Sequence, residues 1–286
     1  MGISLRKLYH NMQPRISIIV PCYNGAKYIR ETLDCLQKQT IEDWECIIVN
    51  DGSTDNSLEI LKEYAEKDSH YKYIDKANEG PAIARNTAIA ASSGKYILPL
   101  DADDLIAPSY AEKATEYLGK HPKCKLVYCK AEYFGDRNAP FVLKDYNFHD
   151  LPYNNQIFCS CIYRREDFDK TIGYNPNMTF RNEDWDFLLS LLDENDEVYC
   201  LPEVLFFYRQ HGMTRNNNVN ERYAYANLQM IMNHPDVYAK DKERTIEWIN
   251  PMVNYYRIEL EKILHSKTYK LANILLRPFG FLEKII

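Results

Sequence analysis

Four short apolar runs, separated by stretches with helical spacing, constrain this chain more than any other feature. Ile16-Ser17-Ile18-Ile19-Val20 is β-branched and stops at Pro21, the mark of a buried strand. Positions 26 to 38 then place Ile29, Leu33 and Leu36 on one helix face. Cys46-Ile47-Ile48-Val49 reads as a second strand halted by Asn50-Asp51-Gly52-Ser53, and Leu58, Leu61, Tyr64 and Ala65 mark a second helix. Tyr71 to Ile74 predicts a third strand. Ala82 to Ala91 predicts an Ala-rich helix closed by Gly94. Tyr96 to Leu100 predicts a fourth strand with Asp101 at its end. Such alternation predicts an α/β fold with a mainly parallel sheet flanked by helices. Ligands of such sheets sit beyond the carboxyl ends of the strands, where Cys22-Tyr23-Asn24, Asp51 and Asp101 to Asp104 all fall.

Beyond residue 120 the pattern loosens. Lys125 to Cys129 and Phe158 to Tyr163 read as strands, Tyr133 to Asn155 as irregular, Trp185 to Leu192 as a helix and Val204 to Tyr208 as a short strand. After Asn216-Asn217-Asn218 the chain reads as helical, with a break expected near Asn250-Pro251. The expected organisation is an N-terminal tail over 1–13, an α/β domain over 14–216 and a helical extension over 217–286.

Composition narrows the function. The 35 Lys and Arg residues stand against 41 Asp and Glu, a formal charge of −6, which argues against nucleic acid as a partner. The eight cysteines include no Cys-x-x-Cys pair, so reduced thiols in a cytoplasmic setting are expected rather than a zinc ribbon. The first residues lack the apolar core of a signal peptide, and no run approaches the ~20 apolar residues of a spanning helix.

Three acidic or basic clusters can carry chemistry. In an extended Asp101-Ala102-Asp103-Asp104, the residues two apart would face one ligand, and paired carboxylates suit Mn2+ or Mg2+ shared with phosphate oxygens. An acidic turn capping the helix near Pro108 explains them as well. Glu183-Asp184-Trp185-Asp186 opens a helix, where acids also suit the macrodipole; a carboxylate there can equally act as a general base. A glycosidase needs two working carboxylates across one bond, and four acids near two loops leave that open, although it does not explain the Asp-x-Asp pattern. In Tyr208-Arg209-Gln210-His211, Arg209 or His211 can meet a phosphate or a metal, or simply sit at the surface. Tyr23 directly follows a strand, where a ring can stack on a nucleobase. Glycine-rich dinucleotide and P-loop motifs are absent from the sequence.

Taken in order, Val20-Pro21-Cys22-Tyr23-Asn24, Val49 to Asp55, Asn78 to Asn86, Asp101 to Asp104 and Glu183-Asp184 closely resemble the family-2 inverting glycosyltransferases of GT-A fold. The likeness covers residues 14 to 212. It implies a nucleotide-sugar donor, a UDP-sugar above all, and a divalent cation. By position it implies donor and acceptor contacts from Pro21, Tyr23, Asn24, Asp51, Arg85, Asp101 and Glu183. Tyr23 would stack on the base, Asp51 would bond to it, Arg85 would lie near the nucleotide, and Asp101 would contact the ribose. Asp103 and His211 would hold the metal, Glu183 would stand near the acceptor, and Asp184 would be the catalytic base. The sequence departs from a common form of the family at Gly173-Tyr174-Asn175, which bears on the acceptor.

The acceptor implied is a glycan or a lipid-linked sugar. Residues 267–286 carry four basic residues against Glu283, a net +3, among ten large apolar or aromatic side chains. That composition suits peripheral contact with the cytoplasmic face of a membrane; packing on the protein or in a homodimer suits it too. The competing readings are a non-catalytic sugar-nucleotide or scaffold protein on the same fold, and a sugar-nucleotide pyrophosphorylase, whose Gly-rich basic entry loop is missing here.

Overall fold

Three of the four apolar runs become strands buried from both sides, and the run at Tyr71 becomes a half-exposed strand at the edge of the sheet. The computed structural model describes residues 13–211 and 221–269. The chain divides into two units, Met1–Asn217 and Asn218–Ile286. In the first, β1 (Ile16–Cys22) leads to α1 (Ile29–Leu36), β2 (Trp44–Asp51), α2 (Ser57–Lys67), β3 (Tyr71–Lys76), α3 (Pro81–Ala90) and β4 (Tyr96–Pro99). There follow β5 (Leu105–Ile106), α4 (Tyr110–Lys120), β6 (Cys124–Gly135), β7 (Ala139–Phe141), β8 (Ile162–Arg164), α5 (Arg165–Phe168), α6 (Glu183–Leu191) and β9 (Glu197–Gln210).

One sheet runs β3-β2-β1-β4-β8-β6-β9-β5, with β7 paired to β6. Its first four strands are parallel. Strand β8 is antiparallel to both β4 and β6, β6 and β9 are parallel, and β5 and β7 are antiparallel edges. Register places Ile16 of β1 between Trp44 of β2 and Tyr96 of β4. The carboxyl ends of β1, β2 and β4 therefore open at the same edge. Ile16, Ile18, Ile19 and Val20 are wholly buried, as are Ile48 and Val49 beside them, so hydrophobic burial fixes this register.

Several expectations are corrected. Gly94 does not close α3, whose last turn ends at Ala91 in right-handed backbone. It allows close approach instead: a Cβ at Gly94 would lie 2.5 Å from the backbone nitrogen of Ser17. The Gly94 N–H also donates to Ser17 Oγ at 2.8 Å, and that hydroxyl donates to Glu45. Gly94→Ala is expected to cost roughly 1–3 kcal/mol through overpacking, measured as a lowered urea midpoint with unchanged slope.

The stretch after Tyr133 is not irregular throughout, because β6 runs to Gly135 and β7 returns along it as a hairpin. Strand β9 spans 14 residues rather than five. Pro202 and Glu203 hide its length in the sequence; they bulge out of the ladder where Cys129 pairs with Leu201 and Lys130 with Val204. The expected strand from Phe158 to Tyr163 shrinks to β8, which starts only at Ile162.

The second unit holds α7 (Glu221–Asn233), α8 (Pro235–Tyr238) and α9 (Lys242–His265). No break occurs at Pro251, which lies inside α9. The breaks fall where Pro235 and Asp241 start new helices, and Asp241 accepts the Arg244 N–H at 3.0 Å as a cap. Among the described residues no helix is long and apolar enough to cross a membrane. The cationic tail from 270 onward lies outside the described residues, as do residues 1–12 and the 216 boundary.

Candidate functional site

At the carboxyl edge of the sheet, two loops are laced together. Asn24 sits in left-handed backbone (φ 51°), a conformation asparagine tolerates well. Its N–H donates to Ser53 Oγ at 2.9 Å, and its side-chain oxygen accepts the Thr54 N–H at 2.7 Å. Asn24 thus joins the loop after β1 to the loop after β2. Pro21 stays within β1 opposite Val49. Tyr23, next to this junction, is 53% exposed, with its ring toward solvent.

Asp51 ends β2 and is buried. Its carboxylate accepts from Lys76 Nζ at 2.9 Å, the Glu79 N–H at 3.0 Å and the Gly80 N–H at 2.8 Å. It therefore fixes the entry to α3. A carboxylate offers about four acceptor positions, and these three bonds fill all but one of them.

Helix α3 delivers Arg85 into the interior, where its side chain is 3% exposed. Nη2 donates to Asp101 Oδ1 and Nη1 to Glu183 Oε1, each at 2.7 Å. Burial opposes this charge, but Asp101 and Glu183 more than offset it and keep the guanidinium protonated. One arginine thereby fastens the turn after β4 to the start of α6. Next to it, Asn86 holds the loop before α6, exchanging hydrogen bonds of 2.7 and 2.9 Å with the Tyr174 backbone. The unusual Gly173-Tyr174 pair is seated there. Trp185 anchors α6 from the other side by donating to the Leu151 carbonyl at 2.7 Å.

Asp101 to Asp104 form a turn, closed by the Asp104 N–H donating to the Asp101 carbonyl at 3.2 Å. The extended geometry expected for these residues is not found. Asp101 and Asp103 are set by different partners: Asp101 faces Arg85, and Asp103 Oδ2 lies 2.8 Å from His211 Nε2. Burial and the charge of Asp101 raise the Asp103 carboxyl above its ordinary range, while His211 pulls it back. Both side chains are about a third exposed. Asp104 is buried, and its Oδ1 accepts the Arg209 N–H at 2.8 Å. Arg209, offered by the sequence as a phosphate ligand, is instead an internal strut. It donates to the Asp103 carbonyl at 2.7 Å, pairs with Glu31, and lies between the rings of Tyr28 and Phe134. The strut holds His211, two residues on, at the end of β9.

Glu183 and Asp184 differ in environment. Glu183 is buried against Arg85. Asp184 is half-buried, and burial together with the adjacent Glu183 charge pushes its carboxyl up to about 6, with Arg85 acting in the opposite sense. A carboxylate with that value can take and release a proton near neutrality. Sequence reasoning assigned Asp104 no role of its own within its cluster and missed Cys159, whose thiol donates to Asp101 Oδ2 at 3.5 Å. Only the Asp-Asp doublet hinted at the former, and nothing at the latter.

Asp103 and His211 supply two donors. Among the described residues no group of three or more His, Cys, Asp or Glu side chains can hold a metal. Two half-exposed donors, beside a buried Asp104 Oδ2 that lacks a partner, fit a hard cation that takes its other ligands from phosphate and water. They do not fit a cation caged by protein alone.

The glycosyl transferase family 2 model matches residues 17–185. The chain is 33% identical over 216 residues to the uncharacterized glycosyltransferase EpsJ of Bacillus subtilis, covering 70% of this chain and 62% of that protein. It is 30% identical over 276 residues to an uncharacterized glycosyltransferase of Haemophilus influenzae, covering 90% and 85%. Among solved structures, S. aureus TarS 1-349 in complex with UDP-GlcNAc superposes with a TM-score of 0.64 at 20% identity, covering 96% of this chain and 77% of that one. The mannosyltransferase PcManGT from Pyrobaculum calidifontis, in complex with GDP-Man and Mn2+, superposes with a TM-score of 0.58 at 20% identity, covering 96% and 78%.

Proposed function

The chain belongs to glycosyltransferase family 2, with the GT-A fold, and we propose that it moves a sugar, with inversion, from a UDP-sugar to a hydroxyl of a glycan or lipid-linked acceptor. The observation that carries this reading is the Arg85 bridge, which brings the Asp101 turn and the Glu183-Asp184 helix start to one place. The TarS complex with UDP-GlcNAc supports the choice of nucleotide.

In this reading Tyr23 stacks on the base, with Pro21 and Asn24 shaping its loop, and Asp51 uses its remaining acceptor position on the base edge. Asp101 bonds the ribose while Arg85 holds that carboxylate in place. Asp103 and His211 would hold Mn2+ or Mg2+, which would supply charge neutralisation to the departing diphosphate. Asp184 takes the proton from the acceptor hydroxyl as its oxygen attacks the anomeric carbon. Glu183, tied to Arg85, keeps Asp184 at the helix start. A single displacement inverts the configuration. The work belongs to glycan or polysaccharide assembly on the cytoplasmic side, with 267–286 as peripheral membrane contact and residues 217–286 open to homodimer formation.

The test is nucleoside diphosphate release from UDP-, GDP- and dTDP-sugars, with Mn2+ and with chelator, beside equilibrium binding of UDP. Slow cation-dependent release from UDP-sugars is expected, and Asp103→Ala should lower it by about 10²-fold or more. Equal release with chelator, or from Asp103→Ala, contradicts the metal role. Absence of cation-dependent nucleotide binding favours the scaffold reading.

A further inference from the structure

A strip of aromatic rings leads away from the acidic turn toward the solvent. Register sets Tyr133 of β6 opposite Tyr208 of β9, and Ala131 opposite both Phe206 of β9 and Phe141 of β7. Paired residues share a sheet face, so Tyr133, Phe141, Phe206 and Tyr208 stand together. Tyr133 and Phe141 stack with ring centroids 4.6 Å apart, and Phe141 lies 5.6 Å from Tyr208. Phe158 stacks on Phe206 at 4.4 Å, and both are buried, forming a floor. The three rings above it are half-buried, and neighbouring Val142 is 83% exposed.

The inner end of the strip touches the site. Phe158 precedes Cys159, whose thiol bonds Asp101. The Tyr208 hydroxyl has no hydrogen-bond partner among the described residues, and burial with the charges of Asp104 and Asp101 keeps it protonated as a donor. Asp104, 1% exposed, leaves Oδ2 unpartnered at the same turn. Topology separates this strip from the base-binding loops. Tyr23 and Asp51 stand at the ends of β1 and β2, whereas the rings stand on β6, β7 and β9, beyond β4 and β8. The Asp101 turn lies between the two halves.

We propose that this strip is the acceptor subsite, and that a pyranose ring of the acceptor glycan packs its C–H face across the outward edges of the stacked Phe141 and Tyr133 rings, beside the Arg137 guanidinium that lies over Tyr133, with a hydroxyl directed inward past Tyr208. Half-exposed rings with hydroxyl edges suit a ligand that is apolar on its faces and polar on its rim. The inference rests on the glycosyltransferase reading above.

The test uses the full chain loaded with UDP and Mg2+, and saturation-transfer NMR with chitotriose, cellotriose, maltotriose, mannotriose and N-acetyllactosamine as probes. At least one should bind, and saturation of aromatic protons should transfer to its C–H protons more strongly than saturation of methyl protons. Phe141→Leu and Tyr133→Leu keep apolar volume and should weaken that binding by about tenfold, while UDP affinity stays within about twofold. Tyr133→Phe should retain it. UDP binding with no saccharide signal overturns the subsite alone, as does saccharide binding unchanged in both leucine variants or fed only by methyl saturation. Failure of the wild-type chain to bind UDP overturns the donor reading and the subsite with it.

Discussion

Asp184→Asn should lower sugar transfer by about 10²–10⁴-fold, the usual contribution of a positioned general base, while UDP affinity changes less than about twofold. The loss should fall on kcat and kcat/KM alike, because the missing proton acceptor acts only in the transition state. In the unsubstituted enzyme, kcat/KM should decline with unit slope as pH falls below about 6, where the Asp184 carboxyl takes up its proton. Its value is raised by burial and by Glu183, so the folded chain holds this proton more tightly than the unfolded one does. The group therefore adds stability as pH falls from about 6 toward its unfolded value near 3.9, and removes it near neutrality. Asp184→Asn should accordingly be no less stable than the parent at pH 7, read from a thermal melt. An active asparagine variant, or an acid limb unmoved by the substitution, contradicts the role.

The second large effect lies at Arg85. Arg85→Met leaves Glu183 buried without its cation, and breaking such a pair from one side costs roughly 3–5 kcal/mol. Urea unfolding should show that loss as a lower midpoint. The double variant Arg85→Met/Glu183→Gln should recover much of it, because the buried Glu183 charge is gone and the Asp101 carboxylate left without its cation is a third exposed to water. Transfer should stay impaired in both, since the Asp101 turn and α6 lose the bridge that sets their separation. Arg85→Lys should recover only part of either property: one ammonium cannot reproduce a planar fork that reaches two carboxylates. Equal urea midpoints for Arg85→Met and the parent would show that the buried bridge contributes nothing to the fold.

The contrast between Arg85 and its surroundings shows what a sequence makes legible. Strands β1, β2 and β4 are visible because burial on both faces writes continuous apolar runs, and α1 and α2 because their apolar positions recur at helical spacing. The ends of those strands are marked by Tyr23, Asp51 and Asp101, which is what points to a candidate site at that edge of the sheet. What those residues hold was not visible. Arg85 meets Glu183 across 98 positions, and Arg209 meets Asp104 across 105; neither separation leaves a local pattern. Gly94 misled for a similar reason, since its need arises from Ser17 on another strand. Pro202 and Pro251 misled in opposite ways. One hid a long strand that bulges around it, and the other suggested a break in a helix that continues through it.

A structure of the chain with UDP and Mn2+ tests the central claim most directly. The expected result places the base against Tyr23 and Asp51, the ribose on Asp101, and the cation between the diphosphate and the Asp103–His211 pair, with Asp184 open on the side of the departing sugar. Nucleotide bound elsewhere, or a cation bound without Asp103, would contradict it.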